Sequence, residues 1–370
     1  MYWTHEVPKV RILIGYNNAL IYAFSKLKGK TANKMVSFAY YFLSLSVKAL
    51  YASNFVLFLS SFDLTAYYIC IMKILVTGAN GLLGQYLVAL LLQEGYTVVA
   101  LSRGANRLPY ATSNQFTYYD VDMTHELPVT TILLKEQPDV VVHAAAMTQV
   151  DECQLNQAGC ETINVQATAQ LLVAAETTTR HFIYISTDFV FDGEQGDYKE
   201  DDHLNPVSWY GFTKVQAESM VETSDMDWAI VRTCLVYGNA PGSGRTNIIS
   251  WVKQSLEAGK PIKVVNDQWR TPTYAGDLAK GILLIIQQKA TGVYHISGKD
   301  KMTPYDIALQ TAAHCKLDAS LIEKTDAASF TQPARRPPKT GFDITKARTT
   351  LGYEPVSFAT GLSTMIAMIK

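Results

Sequence analysis

A tyrosine and a lysine four residues apart, in Tyr210-Gly-Phe-Thr-Lys214, share one face of a helix, so an ammonium can lie beside a phenol. A free phenol has a pKa of about 10, and a neighbouring cation favours the phenolate, which suits the pair to moving a proton near neutral pH. Ser186-Thr187-Asp188 closes an apolar run, Phe182 to Ser186, so the Thr187 hydroxyl sits at a strand end where it can hold a carbonyl against the phenol. Its plain alternative is a turn or helix cap. Further upstream, Thr77-Gly-Ala-Asn-Gly-Leu-Leu-Gly84 joins an apolar strand, residues 73 to 77, to a helix beginning near Leu82. Gly78 permits a tight turn there, Gly81 lets a pyrophosphate approach the backbone, and Gly84 lets helix and strand pack closely. The helix N-terminus then faces the phosphates. Each signal is common alone; together, in this order, they point to hydride exchange at a carbonyl beside a bound dinucleotide.

Such residues need a scaffold that delivers them to one edge. From Met72 onward, strand-like runs (Tyr96 to Leu101, Phe116 to Tyr119, Val140 to His143, Phe182 to Ser186, Trp228 to Arg232) alternate with helical patterns over residues 83–93, 130–135, 160–176 and 210–222. The alternation predicts an α/β fold: a Rossmann-type doubly wound parallel sheet over residues 72–238, with a smaller, partly interleaved C-terminal lobe over 239–370 that supplies most of the substrate contacts. In that lobe helices are expected at 246–258, 276–288 and 303–316, and strands at 262–265 and 292–296.

The second strand ends in Leu101-Ser102-Arg103, where a carboxylate would face a ribose 2′-hydroxyl; Ser102 and Arg103 instead suit a 2′-phosphate, which favours NADPH and leaves NADH as the second choice. Asp122 and Met123, after the third strand, can hold an adenine through its exocyclic amine and its ring face. Ala144, Ala145 and Ala146 end the fourth strand in side chains small enough for a cofactor to lie on the backbone. Arg270 and Arg335 or Arg336 are candidate cations for a diphosphate, with ordinary surface charge as the alternative.

The chain has 48% hydrophobic and 18% charged residues, within the range of folded globular proteins. Its five cysteines form no Cys-x-x-Cys pair or Cys/His cluster, which argues against a disulfide framework or zinc site and fits the cytoplasm. Residues 1–71 carry seven Lys/Arg against Glu6 and Asp63, a balance of +5, whereas the remainder has 25 basic and 31 acidic residues. The body therefore lacks the basic surface of a nucleic-acid binder. The first 71 residues read as an extension outside the fold, with Met72 as the functional start. The rival is a membrane-associated segment, for which Ser37 to Ser61 is long enough, although Lys48 at its centre argues against insertion.

From Met72 to the end the chain resembles the extended short-chain dehydrogenase/reductases, specifically the dTDP-4-dehydrorhamnose reductase family. The resemblance rests on the glycine turn, on His143-Ala-Ala-Ala-Met-Thr-Gln-Val-Asp151, Ser186-Thr-Asp-Phe-Val-Phe-Asp-Gly193, Tyr210-Gly-Phe-Thr-Lys214, Arg232-Thr-Cys-Leu-Val-Tyr-Gly238, Pro272-Thr273 followed by Asp277, and Arg336-Pro337 leading to Asp343. It implies Thr187, Tyr210 and Lys214 as catalytic residues. It implies cofactor contacts from Gly78, Asn80, Gly81, Leu82, Leu83 and Gly84 as well as from Tyr210 and Lys214, and substrate contacts from Thr148 and Asp188 beside the arginines. The implied activity is NADPH-dependent reduction of a nucleotide-activated 4-keto-6-deoxysugar, as in dTDP-L-rhamnose formation. Two departures bear on this expectation. Leu235 stands where the family commonly has Trp at the sugar, so the sugar can differ. Tyr86 stands where magnesium-binding members have Glu, so no metal is expected and homodimerisation stays open. Two other functions resemble the pattern as well: the NADP-binding regulatory subunit of methionine adenosyltransferase, and a sugar-nucleotide epimerase, against which Arg103 argues.

Overall fold

In the computed structural model, residues 72–242 and 247–368 are described; the predicted extension and its candidate membrane segment lie outside them. The first half runs β1 (Lys73–Thr77), α1 (Leu82–Gln93), β2 (Thr97–Ser102), β3 (Phe116–Asp120), α2 (Glu126–Glu136), β4 (Val140–His143), α3 (Val150–Leu155), α4 (Gln157–Glu161), a π-helical turn (Thr162–Gln166), α5 (Ala167–Ala175), β5 (His181–Thr187), α6 (Trp209–Glu222) and β6 (Asp227–Thr233). The second half adds β7 (Val236–Tyr237), α7 (Ile248–Glu257), β8 (Ile262–Val265), β9 (Thr273–Tyr274), α8 (Ala275–Gln288), β10 (Gly292–His295), α9 (Pro304–Cys315), β11 (Ile322–Thr325), α10 (Thr345–Leu351) and α11 (Phe358–Ala367).

Seven strands form one sheet in the order β10-β6-β5-β4-β1-β2-β3, with every neighbouring pair parallel. Alternate side chains of each strand enter opposite layers, and apolar residues at both parities bury both faces. Ile74 and Val76, with Val98, Ala100, Val142 and Val231, pack against Leu87 and Leu91 of α1 and Leu278, Ile282 and Ile285 of α8. Leu75, with Val99, Leu101, Val141, Phe182 and Ile230, meets Leu133 of α2, Leu171 of α5 and Val221 of α6. This is the doubly wound parallel α/β fold. The sequence after residue 238 contributes to it directly, through β10 and α8.

Beyond the sheet, β8 and β11 pair in parallel and pack with α7 and α9 around Val252, Leu256, Val264, Ala308 and Ala312. Thr303 opens α9 with a reciprocal cap: its hydroxyl accepts from Asp306 N, and the Asp306 carboxylate accepts from Thr303 N. One expected helix differs. The run 160–176 divides at the π-helical turn, which directs Asn164 into the protein, where its amide donates to Met147 O (3.0 Å) and Thr213 Oγ1 (3.1 Å) and its carbonyl accepts from Met147 N (2.8 Å). Among the described residues no helix is long and apolar enough to cross a membrane.

Candidate active site

Chain order reverses between β1 and β4, and the C-terminal ends of these strands open into a cleft of about 850 Å³. Its floor begins at the glycine turn. Gly78 has φ +68°, and a Cβ there would lie 2.9 Å from Ala145 N, so only glycine lets the turn pass beneath the end of β4. A Cβ on Gly84 would lie 2.4 Å from Gly78 O, which fixes how closely α1 approaches. No side chain caps the N-terminus of α1 at Gly81, and its first turn, Leu82 to Gly84, lines the cleft.

The two strand ends are tied by a one-way chain of hydrogen bonds. Ala144 N and Ala145 N donate to Thr77 Oγ1, each at 3.1 Å, which leaves the Thr77 proton for His143 Nδ1 at 2.7 Å. On the other ring edge, Thr168 Oγ1 gives its proton to Asn164 O (2.8 Å), so it accepts from His143 Nε2 at 3.0 Å. The imidazole is thereby neutral with its proton on Nε2. Burial, aided by the Lys214 charge, holds its pKa down to about 3.

Ser102, Arg103, Asp122 and Met123 line one end of the cleft. Arg103 lies 3.6 Å from Asp122, and both are substantially exposed. Burial pushes the Asp122 carboxyl up, but hydrogen bonds from Thr124 and the Arg103 charge outweigh it and leave the group below its usual range. Asn80 shapes this edge: its amide donates to Ala105 O (3.1 Å) and its carbonyl accepts from Arg107 N (3.1 Å). Arg107 lines the cleft too. Its one signal in the sequence is that it is a second arginine four residues after Arg103.

Across the cleft lie Thr187, Tyr210 and Lys214, joined by Thr148, Ser186 and Asp188. Ser208 caps α6 by accepting from Gly211 N, which starts the helix so that Tyr210 and Lys214 point inward. Lys214 Nζ donates to Ile185 O at 2.8 Å and sits 4.0 Å above the Tyr184 ring. Burial lowers the Lys214 pKa to about 7, with Glu218 opposing. The helical spacing of Tyr210 and Lys214 predicts that the ammonium pulls the phenol down. Burial instead pushes Tyr210 well up, a hydrogen bond with Thr187 only partly offsets it, and the Asp188 charge adds to the rise. Leu235 lines the same cleft with φ +40°, a conformation uncommon for a branched side chain.

The arginines expected at a diphosphate separate. Arg270 lines the cleft but is 5% exposed, and its donors are engaged: Nη1 on Trp269 O (2.8 Å) and Pro338 O (3.1 Å), Nη2 on Pro337 O (2.8 Å) and Gln268 Oε1 (3.4 Å), and Nε 3.8 Å from Asp188. It is a brace, not an available cation. Arg336 lies outside the cleft; it grips Asp151 through Nη1 (3.0 Å) and Nη2 (2.6 Å) and lines a second, more open hollow of about 510 Å³ with Trp251, Lys263, Gln268 and Phe330. Asn247 and Ile248 line both hollows. Arg335 lines neither and is exposed.

Residues 72–370 match the family described as RmlD substrate binding domain. The chain is similar to the probable low-salt glycan biosynthesis reductase Agl14 of Haloferax volcanii, 33% identical over 75% of this chain and 91% of that protein. It is 29% identical to a dTDP-4-dehydrorhamnose reductase of Aggregatibacter actinomycetemcomitans, over 80% of this chain and 98% of the relative. Among solved structures, the dTDP-4-dehydrorhamnose reductase of Bacillus anthracis in complex with NADP superimposes with a TM-score of 0.71 at 25% identity, covering 80% of this chain and 99% of that one.

Proposed function

The chain belongs to the RmlD substrate-binding-domain family, and on that footing we propose that it is an NADPH-dependent reductase of a nucleotide-activated 4-keto-6-deoxysugar, of the dTDP-4-dehydrorhamnose reductase type. The observation that carries this reading is the meeting of Thr187, Tyr210 and Lys214 in one cleft with the glycine turn.

The residues present suit a dinucleotide. The uncapped start of α1 offers backbone N–H groups to a pyrophosphate, and Ser186 has a buried hydroxyl oxygen with no hydrogen-bond partner at the cleft wall. Gly78, Asn80, Gly81, Leu82, Leu83 and Gly84 would hold the pyrophosphate side, Ser102 and Arg103 a 2′-phosphate, Asp122 and Met123 the adenine, and Ala144 to Ala146 with Tyr210 and Lys214 the nicotinamide riboside. When bound, the reduced nicotinamide supplies the hydride that the keto carbon accepts. Tyr210 holds the proton for the carbonyl oxygen, and its raised pKa keeps the phenol fully protonated at neutral pH, the form a reductase needs. Thr187 fixes the phenol from one side. Lys214, buried and anchored on Ile185 O, offers its remaining donors to ribose hydroxyls.

The neighbouring hollow suits the nucleotide of the sugar. Trp251 and Phe330 supply aromatic surface, Lys263 and Arg336 supply cations that are already paired with Glu323 and Asp151, and the shared Asn247 joins the hollow to the cleft where the sugar would react. Thr148 and Leu235 would border the sugar, with Leu235 leaving more room than Trp. The test is purified protein with NADPH and a panel of 4-keto-6-deoxy sugar nucleotides, followed at the nicotinamide absorbance. Saturable oxidation of NADPH is expected with at least one; no turnover with any, alongside stoichiometric capture of a partner enzyme, would replace this reading with a regulatory one.

A further inference from the structure

The chain leaves β5 through one turn of 3₁₀ helix, Asp188–Val190, whose three side chains part ways. Asp188 is 3% exposed, and its carboxylate is engaged by the Thr340 hydroxyl and the Cys234 thiol (3.3 Å), with Arg270 Nε 3.8 Å away. Val190 is fully buried in the core. Phe189 is half-buried and lines the cleft. Its place beside the phenol is built in: a Cβ on Gly211 would overlap Phe189 O, so the glycine that follows Tyr210 lets this turn lie directly against the start of α6. The Phe189 ring then meets the Tyr210 ring edge to face, with centroids 5.9 Å apart and planes at 63°. The guanidinium of the braced Arg270 lies 5.9 Å from the Phe189 centroid. Val150 and Ile163, packed on the same buried cluster as Phe189, also line the cleft, so the wall next to the phenol is apolar.

A phenyl ring offers no hydrogen bond to what it touches. In a 4-keto-6-deoxysugar the keto carbon has two ring neighbours, C3 with a hydroxyl and C5 with a methyl. A hydroxyl pressed on Phe189 would give up water and gain no partner, whereas a methyl there leaves water at no such cost. With the keto oxygen at Tyr210, only one of the two neighbours suits this wall. We propose that Phe189 is a specificity residue that reads the C5 substituent: the sugar binds with its methyl against the Phe189 ring and its C3 hydroxyl turned away. The proposal rests on the reading that Tyr210 meets the keto oxygen.

The test uses the full chain, NADPH and two substrates on the same nucleotide: the 4-keto-6-deoxyhexose that the panel identifies, and the matching 4-keto-pentose, which lacks the C5 carbon substituent. Wild type should favour the 6-deoxyhexose in kcat/KM by about tenfold or more, the discrimination an apolar pocket draws from one methyl group. Phe189→Ala should abolish most of that preference by lowering kcat/KM for the 6-deoxyhexose while the pentose changes little, and Phe189→Leu, which stays apolar, should keep part of it. NADPH affinity, titrated separately, should match wild type in both variants. A ring that merely supported Tyr210 would cost both substrates alike, so an equal loss on the two sugars overturns the proposal. An unchanged preference in Phe189→Ala, or a wild type that does not distinguish the two sugars, overturns it as well. If Phe189→Ala does not fold, as judged by NADPH binding, Phe189→Thr carries the same comparison. A wild-type protein that reduces no keto sugar overturns the parent reading together with this one, whereas turnover without a preference traceable to Phe189 overturns this one alone.

Discussion

The two halves of the cleft are built from different materials. On the side we assign to the cofactor, the lining groups are largely backbone: the turn at Gly78, the bare N-terminus of α1 and the small-residue exit of β4, with charged side chains such as Arg103 and Asp122 at its open edge. On the reacting side, side chains from distant segments interlock. Asp188 alone gathers Thr187, Cys234, Arg270 and Thr340, and Arg232 grips Glu218 in a buried ion pair at 2.7 Å. A site made of backbone tolerates change in whatever does not alter the path of the chain. A site made of interlocked side chains passes any change to its neighbours.

The contrast predicts where single substitutions bite. Tyr210→Phe keeps the ring and removes the proton, so turnover should drop by roughly 10²–10⁴ while NADPH affinity, owed to the other half, stays near wild type. Rapid-mixing reduction and cofactor titration measure the two separately; a wild-type rate would place the proton elsewhere. Next in size, Gly84→Ala puts a methyl group 2.4 Å from Gly78 O, so α1 must move and NADPH affinity should fall by about a hundredfold or more, with a lowered melting temperature. Equal affinity for NADPH would show that the backbone path is not what this half depends on.

Arg103→Asp should cost NADPH about tenfold and shift preference toward NADH, because it meets a 2′-phosphate with like charge. Equal losses for both cofactors would mean that Arg103 does not read the phosphate and would turn attention to Arg107. A different kind of effect, read per pH unit, concerns stability. Lys214 titrates near 7 when folded and near 10.5 when unfolded, so the unfolded chain binds the additional proton between those values. The stability associated with this group is fully present above pH 10.5, declines as pH falls to about 7 and is constant below. Urea unfolding of Lys214→Met against wild type should show the variant gaining relative stability at up to about 1.4 kcal/mol per pH unit across that window. A pH-independent difference would mean that the buried amine keeps its ordinary pKa.

The same difference in materials decides what could be read from the sequence. Gly78, Gly81 and Gly84 lie within one short run after a strand of Ile, Leu and Val, which leaves few other interpretations, so the glycine turn and the parallel sheet are legible in the sequence. Thr187, Tyr210 and Lys214 were findable because each lies at a strand end or at helical spacing. The brace formed by Asp188, Arg270 and Thr340 was not, because its members are separated by tens of residues and only the fold brings them together. Arg270 looked like a free cation for the same reason. The two-residue strands β7 and β9 are too short to carry periodicity, and the π-helical turn that aims Asn164 follows a pattern indistinguishable from an ordinary helix.

The relay from Thr77 through His143 to Thr168 makes the join between β1 and β4 indifferent to mild acid. Its imidazole is held neutral down to about pH 3, and every proton in the relay already has an acceptor, so mild acid finds no vacant site to occupy. The bonds that hold the glycine turn against β4 therefore persist across the range in which a histidine ordinarily titrates. Lys214, by contrast, titrates near neutrality and lines the same cleft as Tyr210.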